Sequence, residues 1–440
     1  MNLKKMRELA RKMIQKGIEG ADPENLVHKK LNVKDNKIKF SGETFDRSEY
    51  DEVVLLGIGK ASVPMAIGCK ELNPDDGLII TKSATHQEKK ECPVKVREAS
   101  HPYPKQENME AGQELLSLVE EKNNALFVFL VSGGGSALFT KPVEGLTLDD
   151  MNELNQQLVK SGANIHQINT VRKHVSQVKG GRLGKLCSEK GDMVSLIISD
   201  VVGDDLSVIA SGPTYPDEST YEDAKQVLDE FDLWGEISKN VRNRIKKGLN
   251  GEAKETPTEL DVHNILLGNN MTALKEAHQV GEQNKDINSL ILTSQNEGEA
   301  KEVAKPLTGI AKEIQDTGNP IEPPAALVLG GETTVKFRSK DSETGKGGPN
   351  RELVLSAAIE IQDRENIVIA SVDSDGIDGV EKAGAIADTS TIENSELDPK
   401  EYLENHDSQT YFDSLYDNLE FKSRTNVNDI TVILIDEKEK

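Results

Sequence analysis

Ala125 to Ala137 reads ALFVFLVSGGGSA, an unbroken apolar run that stops at a triple glycine flanked by Ser132 and Ser136. A run without polar alternation suits a strand covered on both faces, as in a parallel sheet with helices on either side. The glycines fall where such a strand turns into a helix. There the backbone can approach a ligand closely, the first N–H groups of the helix lack partners, and the helix dipole favours negative charge. No Gly-Lys-Ser/Thr follows, so this is not a Walker A loop, and the spacing is not that of a GxGxxG dinucleotide turn. The residues alone fit both a phosphate or carboxylate cradle, made by Ser132, Gly133, Gly134, Gly135 and Ser136, and an ordinary tight turn.

Working outward, Val53–Gly57 (VVLLG) is another apolar run, and Ile58-Gly59-Lys60 leads from it into helical spacing over Ala61–Cys69. Gly77–Thr81 repeats the strand pattern, Asn108–Lys122 is helical, and so are Leu148–Ser161 and Ile165–Lys173. Val194–Ser199 is a strand and Ser219–Asp229 a helix. Lys246–Asp261 (KKGLNGEAKETPTELD) has the composition of a linker, which places one domain over residues 1–250 and a second over 261–440. The second series has strands at His263–Leu267, Leu290–Thr293, Ala325–Leu329, Ile367–Val372 and Ile430–Ile435, with Val335–Arg338 as a hairpin partner. Its helices are Asn270–Asn284, Glu299–Thr317 and Glu352–Gln362. The expected class is therefore α/β: two domains, each a mostly parallel sheet flanked by helices, with the active site in the interdomain cleft beyond the carboxyl ends of the strands.

A chain of 440 residues exceeds what one core usually supports, which agrees with two domains. A net charge of -23 with only 4% aromatic residues argues against nucleic acid or an anionic membrane as the main partner. Cys69, Cys92 and Cys187 form neither a CxxC pair nor a Cys/His cluster, so a disulfide framework or structural zinc is not expected. The opening MNLKKMRELARKMIQKGIEG reads as a basic amphipathic helix rather than a signal peptide, and no run approaches the roughly 18 apolar residues of a membrane span. A cytoplasmic location is expected.

An acidic enzyme of an anionic substrate needs a local island of cations, and several polar motifs follow strands where a cleft would collect them. Lys60, reached from its strand through a turn bracketed by Gly57 and Gly59, can offer a point charge to phosphate or carboxylate; a solvated helix-start lysine is the plain alternative. Asn169-Thr170-Val171-Arg172-Lys173-His174 concentrates cations, with Arg172 able to fork onto an anion, although a charge run is usually a solvated face. Asp200 ends a strand and can hold Mg²⁺ or act as a base. In the second half, Gly331 and Glu332 follow a strand, and GKGGPNRE delivers Asn350 and Arg351 to a helix start. Asp373, Asp375 and Asp378 follow IVIAS, with either metal binding or turn chemistry as their use.

Taken in order, GIGKAS (57–62), SGGGSAL (132–138), INTVRKHVSQVKGGRL (168–183), SDVVGDDLSVIASGPT (199–214), GGETTV (330–335), DSDGIDG (373–379) and TNVND (425–429) resemble the motifs of the glycerate 2-kinase family, whose C-terminal half is the MOFRL domain. The resemblance implies a Rossmann-like N-terminal domain and ATP-dependent phosphorylation of the 2-hydroxyl of D-glycerate with Mg²⁺ or another divalent cation. It implies D-glycerate and ATP as partners, leaves a homodimer open, and casts Lys60 as the lysine that engages substrate or the transferring phosphoryl. Lys60, Arg351 and Asp200 are the expected catalytic set, and Asp200, Asp373 and Asp375 the expected metal ligands. Gly57, Gly59, the SGGGS loop, Asn169, Arg172, Lys173, Gly331, Glu332 and Asn350 are expected to bind nucleotide or substrate. Where many relatives read Gly-Gly-Arg-Asn-Gln-Glu, this chain has Gly-Gly-Pro-Asn-Arg-Glu, so the arginine moves from position 349 to Arg351. The rival readings are a hydroxypyruvate reductase, for which no GxGxxG turn is legible, and a non-catalytic sugar-acid or phosphosugar binding protein.

Overall fold

The computed structural model describes residues 1–337 and 345–438. They form two compact units, one of residues 23–267 and one of residues 1–22 together with 268–440. The first helix, α1 (Leu3–Gly20), thus belongs with the second half of the chain.

The unit of residues 23–267 is built on six strands: β1 (Glu52–Ile58), β2 (Asp76–Thr81), β3 (Lys95–Glu98), β4 (Ala125–Val131), β5 (Gly191–Ile198) and β6 (His263–Gly268). Their order across the sheet is β3-β2-β1-β4-β5-β6. β1 runs parallel to β2 and β4, β2 to β3, and β4 to β5. This is the order of a doubly wound nucleotide-binding sheet, and the direction of winding reverses between β1 and β4. All seven residues of β4 are buried, as the absence of polar alternation requires of a strand covered on both faces.

The turn after β1 leads into α2 (Ser62–Gly68), and the triple glycine leads into α3 (Gly135–Leu138). Two longer helices, α4 (Leu148–Lys160) and α5 (Ile165–His174), join α6 (Tyr221–Glu230) around a separate core that includes Leu154, Leu158, Val171, Tyr221 and Leu228. A three-stranded antiparallel sheet over residues 31–46 alternates charged and apolar side chains in strands of four residues, too short a signal to be read from sequence.

The polar stretch expected as a linker is instead part of this unit. Residues 239–249 are helical, and β6, expected to open the second domain, is the sixth strand of the first sheet. The intervening polar residues have fixed partners. Glu255 accepts hydrogen bonds from the Tyr221 N–H at the start of α6 and lies 3.0 Å from His174 Nε2, while the Asp217 N–H donates to the Pro257 carbonyl. Polar composition marked this segment as a tether, but these bonds pin it.

In the other unit the sheet is mixed rather than mostly parallel. Its strands are β7 (Asn288–Glu299), β8 (Ala325–Thr334), β9 (Ile367–Asp373), β10 (Gly384–Asp388), β11 (Asn418–Leu419) and β12 (Asp429–Ile435), in the order β7-β8-β12-β9-β10-β11. β7 and β8 are parallel, whereas β12, the last strand, inserts antiparallel between β8 and β9. β10 returns antiparallel to β9. Helices α7 (Asn270–Gln283), α8 (Ala300–Thr317) and α9 (Pro349–Ile361) cover the sheet. Val335–Phe337 form no strand, and Arg338, the end of the expected hairpin partner, lies outside the described residues. Among the described residues no helix is long and apolar enough to cross a membrane.

Candidate active site

At the switch point of the first sheet, the loops after β1 and β4 are locked to each other through their backbones. The Lys60 N–H donates to the Gly133 carbonyl at 2.8 Å, and the Ser132 N–H donates to the Ile58 carbonyl at 3.1 Å. The buried Ser132 hydroxyl accepts from the Ala61 N–H at 3.0 Å. Gly59 has φ +118°, and a Cβ there would lie 2.2 Å from the Ser132 hydroxyl oxygen, so only glycine permits this approach. Gly134, at φ +81°, has the His101 ring and the Lys60 stem against it, 3.1 and 3.3 Å from where a Cβ would be. Lys60 is thereby held over the triple glycine, with Asp200 near enough at the end of β5 to feel its charge. Burial raises the Asp200 pKa and Lys60 acts against that rise. Because α3 is a single turn, the expected helix dipole adds little here.

Behind the glycine loop stand Lys179 and Arg172, neither of them paired with a carboxylate among the described residues. Lys179 is 4% exposed and donates to the Ser136 and Phe139 carbonyls at 2.6 and 3.3 Å. Burial, and Arg172 nearby, push its pKa down to about 7. Arg172 gives its Nε–H to Asn155 Oδ1 at 2.6 Å, and burial lowers its pKa too. Both side chains line a cavity of about 590 Å³ together with His101, Gly134 and Ser136. The Ser136 hydroxyl meets that of Ser211, which donates to Asn169 Oδ1 at 3.0 Å. Because the Ser211 proton is committed to Asn169, Ser136 must donate to Ser211, which fixes the side chain at the foot of the loop. Ala210 and Ser211 hold left-handed φ angles of +51° and +62° to make this contact, a backbone that costs non-glycine residues about 1–3 kcal/mol each.

Three expected ligand contacts in this unit have structural work instead. Lys173, 5% exposed, pairs with Asp217 at 3.1 Å, so its charge is already answered. Gly57 lies inside β1, where a Cβ would press on Ile79 and Leu130; it serves packing. Asn169 is 2% exposed and anchors Ser211.

The second unit gathers the other expected residues, in a different role. Arg351 is fully buried: its Nε donates to Asp378 at 2.9 Å, Nη1 to Gln409 at 2.7 Å, and Nη2 to the Asp378 and Glu381 carbonyls. Asp378 also accepts from the Asn350 and Arg351 N–H groups, capping α9. The expected catalytic arginine is thus a structural one, because all its faces are spent on protein acceptors. Asn350, 1% exposed, donates to Asp429 at 2.6 Å and takes a hydrogen bond from Ser371, so it too is a node of the interior. Burial, against the bonds from Asn350 and Thr333, pushes Asp429 up to about 7. Burial together with Asp375 and Asp429 pushes Asp373 up to about 8. Asp373 accepts from the Asp375 N–H, and Asp375 from the Ile377 N–H, both at 2.9 Å, which is turn chemistry. Gly331 lies in β8 against the Asn296 backbone, and Glu332 beside it is exposed. Arg424 pairs with Asp22. Among the described residues no three His, Cys, Asp or Glu side chains converge on a point that could hold a metal.

Residues 9–246 match a family model described as a domain of unknown function, DUF4147, and residues 325–429 match the MOFRL family. A glycerate 2-kinase of Pyrococcus horikoshii is 40% identical, with 98% of each chain covered. A D-glycerate 2-kinase of Thermotoga maritima is 37% identical, again over 98% of each. The crystal structure of a glycerate kinase from Thermotoga maritima superposes with a TM-score of 0.84 at 35% identity, covering 98% of this chain and all of that one. The chain belongs to the glycerate 2-kinase family.

Within the frame of a glycerate 2-kinase, sequence reasoning missed His101, Asn155 and the weight of Lys179. His101 follows an exposed four-residue strand with no apolar signal, so its arrival beside Gly134 depends on the position of β3 in the sheet. Lys179 was visible as a charge, but its burial was not. That no carboxylate among the described residues pairs with it is the signal that only the structure carries.

Proposed function

We propose that this protein transfers the terminal phosphoryl group of ATP to the 2-hydroxyl of D-glycerate, giving 2-phosphoglycerate and ADP. Identity of 40% along the whole chain to a glycerate 2-kinase supports the reaction. The observation that carries it to this chain's own residues is the convergence of Lys60, Arg172 and Lys179 on a glycine loop at the switch point. Phosphoryl transfer asks a protein for alignment and for cations around the developing charge, rather than for covalent chemistry. Lys60 would neutralise the transferring group, held in place by Gly59 and the Ser132 lock. Arg172, whose Nη groups have no protein acceptor among the described residues, would fork onto anionic oxygens.

Mg²⁺ fits a site with few protein ligands, since it keeps its waters and takes substrate phosphates rather than a full cage of carboxylates. Asp200 suits it best, a carboxylate raised by burial and facing Lys60, while Asp373 and Asp375 would have to exchange turn contacts for the ion. When bound, the ion would supply charge to the phosphate oxygens.

A dinucleotide reductase is disfavoured by the turn after β1. The Lys60 and Ala61 N–H groups, which would face a pyrophosphate there, already donate to Gly133 and Ser132. The deciding assay supplies purified protein with ATP, Mg²⁺ and D-glycerate and identifies the product. Formation of 2-phosphoglycerate is expected. The 3-phosphate would refute the regiochemistry, and NADH-dependent reduction of hydroxypyruvate without ATP would refute the class.

A further inference from the structure

The cavity bounded by Arg172 and Lys179 has two chemically different ends. Its inner end holds the buried Lys179 amine and the half-buried Arg172 guanidinium, with no carboxylate paired to either among the described residues. Its solvent-exposed end is lined by Tyr103 and Val159, 66% and 62% exposed, and by exposed Lys160, with Met151 buried in the same lining. An aromatic ring at the edge of a pocket gives the flat ring of a ligand a face to stack on. Asn155 stands on the same wall, holding Arg172 by its Nε and leaving the Nη groups to the cavity. A ligand that answers both ends carries a flat, apolar-faced ring at one and several negative charges at the other. Glycerate, with three carbons and one carboxylate, satisfies neither the mouth nor a volume of about 590 Å³.

We propose that this cavity, lying wholly within residues 23–267, is the nucleoside-triphosphate site, with the base against Tyr103 and Val159 and the phosphates on Arg172 and Lys179. The assignment rests on the kinase reading and gives the glycine loop to the nucleotide, since Gly134 and Ser136 line this cavity and the Lys60 stem lies against Gly134. The acceptor then binds elsewhere.

Calorimetric titration of the full chain with ATP, with inorganic tripolyphosphate and with D-glycerate tests this. Tyr103→Ala should weaken ATP by about ten-fold, the scale of losing one stacked base, and leave tripolyphosphate unchanged. Arg172→Ala should weaken both, and neither change should alter D-glycerate affinity. Since Tyr103 is exposed, its replacement cannot fail by unfolding, whatever becomes of the arginine variant. Absence of ATP binding, ATP affinity blind to both substitutions, or a loss of D-glycerate affinity instead would overturn the assignment. Failure of the reaction is separable: wild-type protein that binds ATP here but phosphorylates no glycerate keeps the site and refutes the function. Normal phosphorylation with unchanged KM for ATP in both variants does the reverse.

Discussion

Arg351 donates to Asp378, Gln409 and two carbonyls in the interior of its unit, while Lys60 stands partly exposed over a glycine loop. Both follow strands through glycine-rich turns, so local sequence presents them as the same kind of residue. What separates them is distant in the chain: Asp378, from the turn after β9, and Gln409 come to Arg351 and enclose its guanidinium. Arg351→Ala would leave Asp378 buried without its cation, at a cost of about 3–5 kcal/mol, and should be seen as a fall in thermal stability and soluble yield. A variant that melts normally but has lost turnover would restore the arginine to the chemistry. Lys60→Met should lower kcat by about 100-fold with the melting temperature kept, the scale of losing one preorganised charge at the transition state. Normal turnover would return Lys60 to a surface role. Lys179 adds a pH signature. Its pKa falls from 10.5 to about 7 on folding, so between these values the unfolded chain holds a proton that the folded chain has released. Stability relative to Lys179→Met should therefore rise from pH 7 toward pH 10 and stay level below pH 7. A flat difference across that window, measured by denaturant unfolding, would mean that the buried amine keeps its proton.

At the scale of elements, apolar runs were legible wherever a strand is covered on both faces. Ala125–Val131 is a strand over the same residues expected, and the run Val53–Gly57 lies within β1. Short or polar strands were not legible: β10 and β11 escaped because five residues and two residues carry too little periodicity. The mixed character of the second sheet was hidden for another reason, since the insertion of β12 between β8 and β9 depends on pairing between segments far apart in the chain, such as Ala325 with Ile435 and Ile367 with Ile435. The lock between the β1 and β4 loops is also a pairing fact, although its glycines were plain in the sequence. Gly59→Ala would place a methyl group 2.4 Å from the Ser132 carbonyl oxygen, at a φ that L residues avoid. Strain and overpacking together should cost about 2–4 kcal/mol. The Lys60 and Ala61 amides should then exchange with deuterium much faster than in the wild type, and turnover should fall with them. Unchanged exchange at those two amides would show that the loops are not held by this contact.

For the molecule as a whole, the chain begins in one unit, builds the other from residue 23 to residue 267, and returns. The basic amphipathic helix at the start was read correctly as a helix, but an apolar stripe says only that a face is buried, not against what. Met6, Met13 and Ile14 are wholly buried and Ile18 is 6% exposed. Gly17 lies against the Ala273 carbonyl and the Ile430 side chain, so α1 packs on α7 and β12. Arg7 bonds to Asp388 and, at 2.6 Å, to Asp417, and the terminal amine pairs with Asp436. Burying four large apolar side chains contributes about 6–12 kcal/mol, comparable with the roughly 5–15 kcal/mol by which a domain is stable at all. Removing residues 1–22 should therefore unfold the unit of residues 268–440 while the unit of residues 23–267 keeps its own cooperative transition. Calorimetry of the truncated chain should show one transition where the full chain shows the contribution of both units. A fragment of residues 268–440 that is soluble and melts cooperatively by itself would refute the claim. If it does so only when the peptide of residues 1–22 is added, the helix is established as a missing piece of that core rather than an appendage.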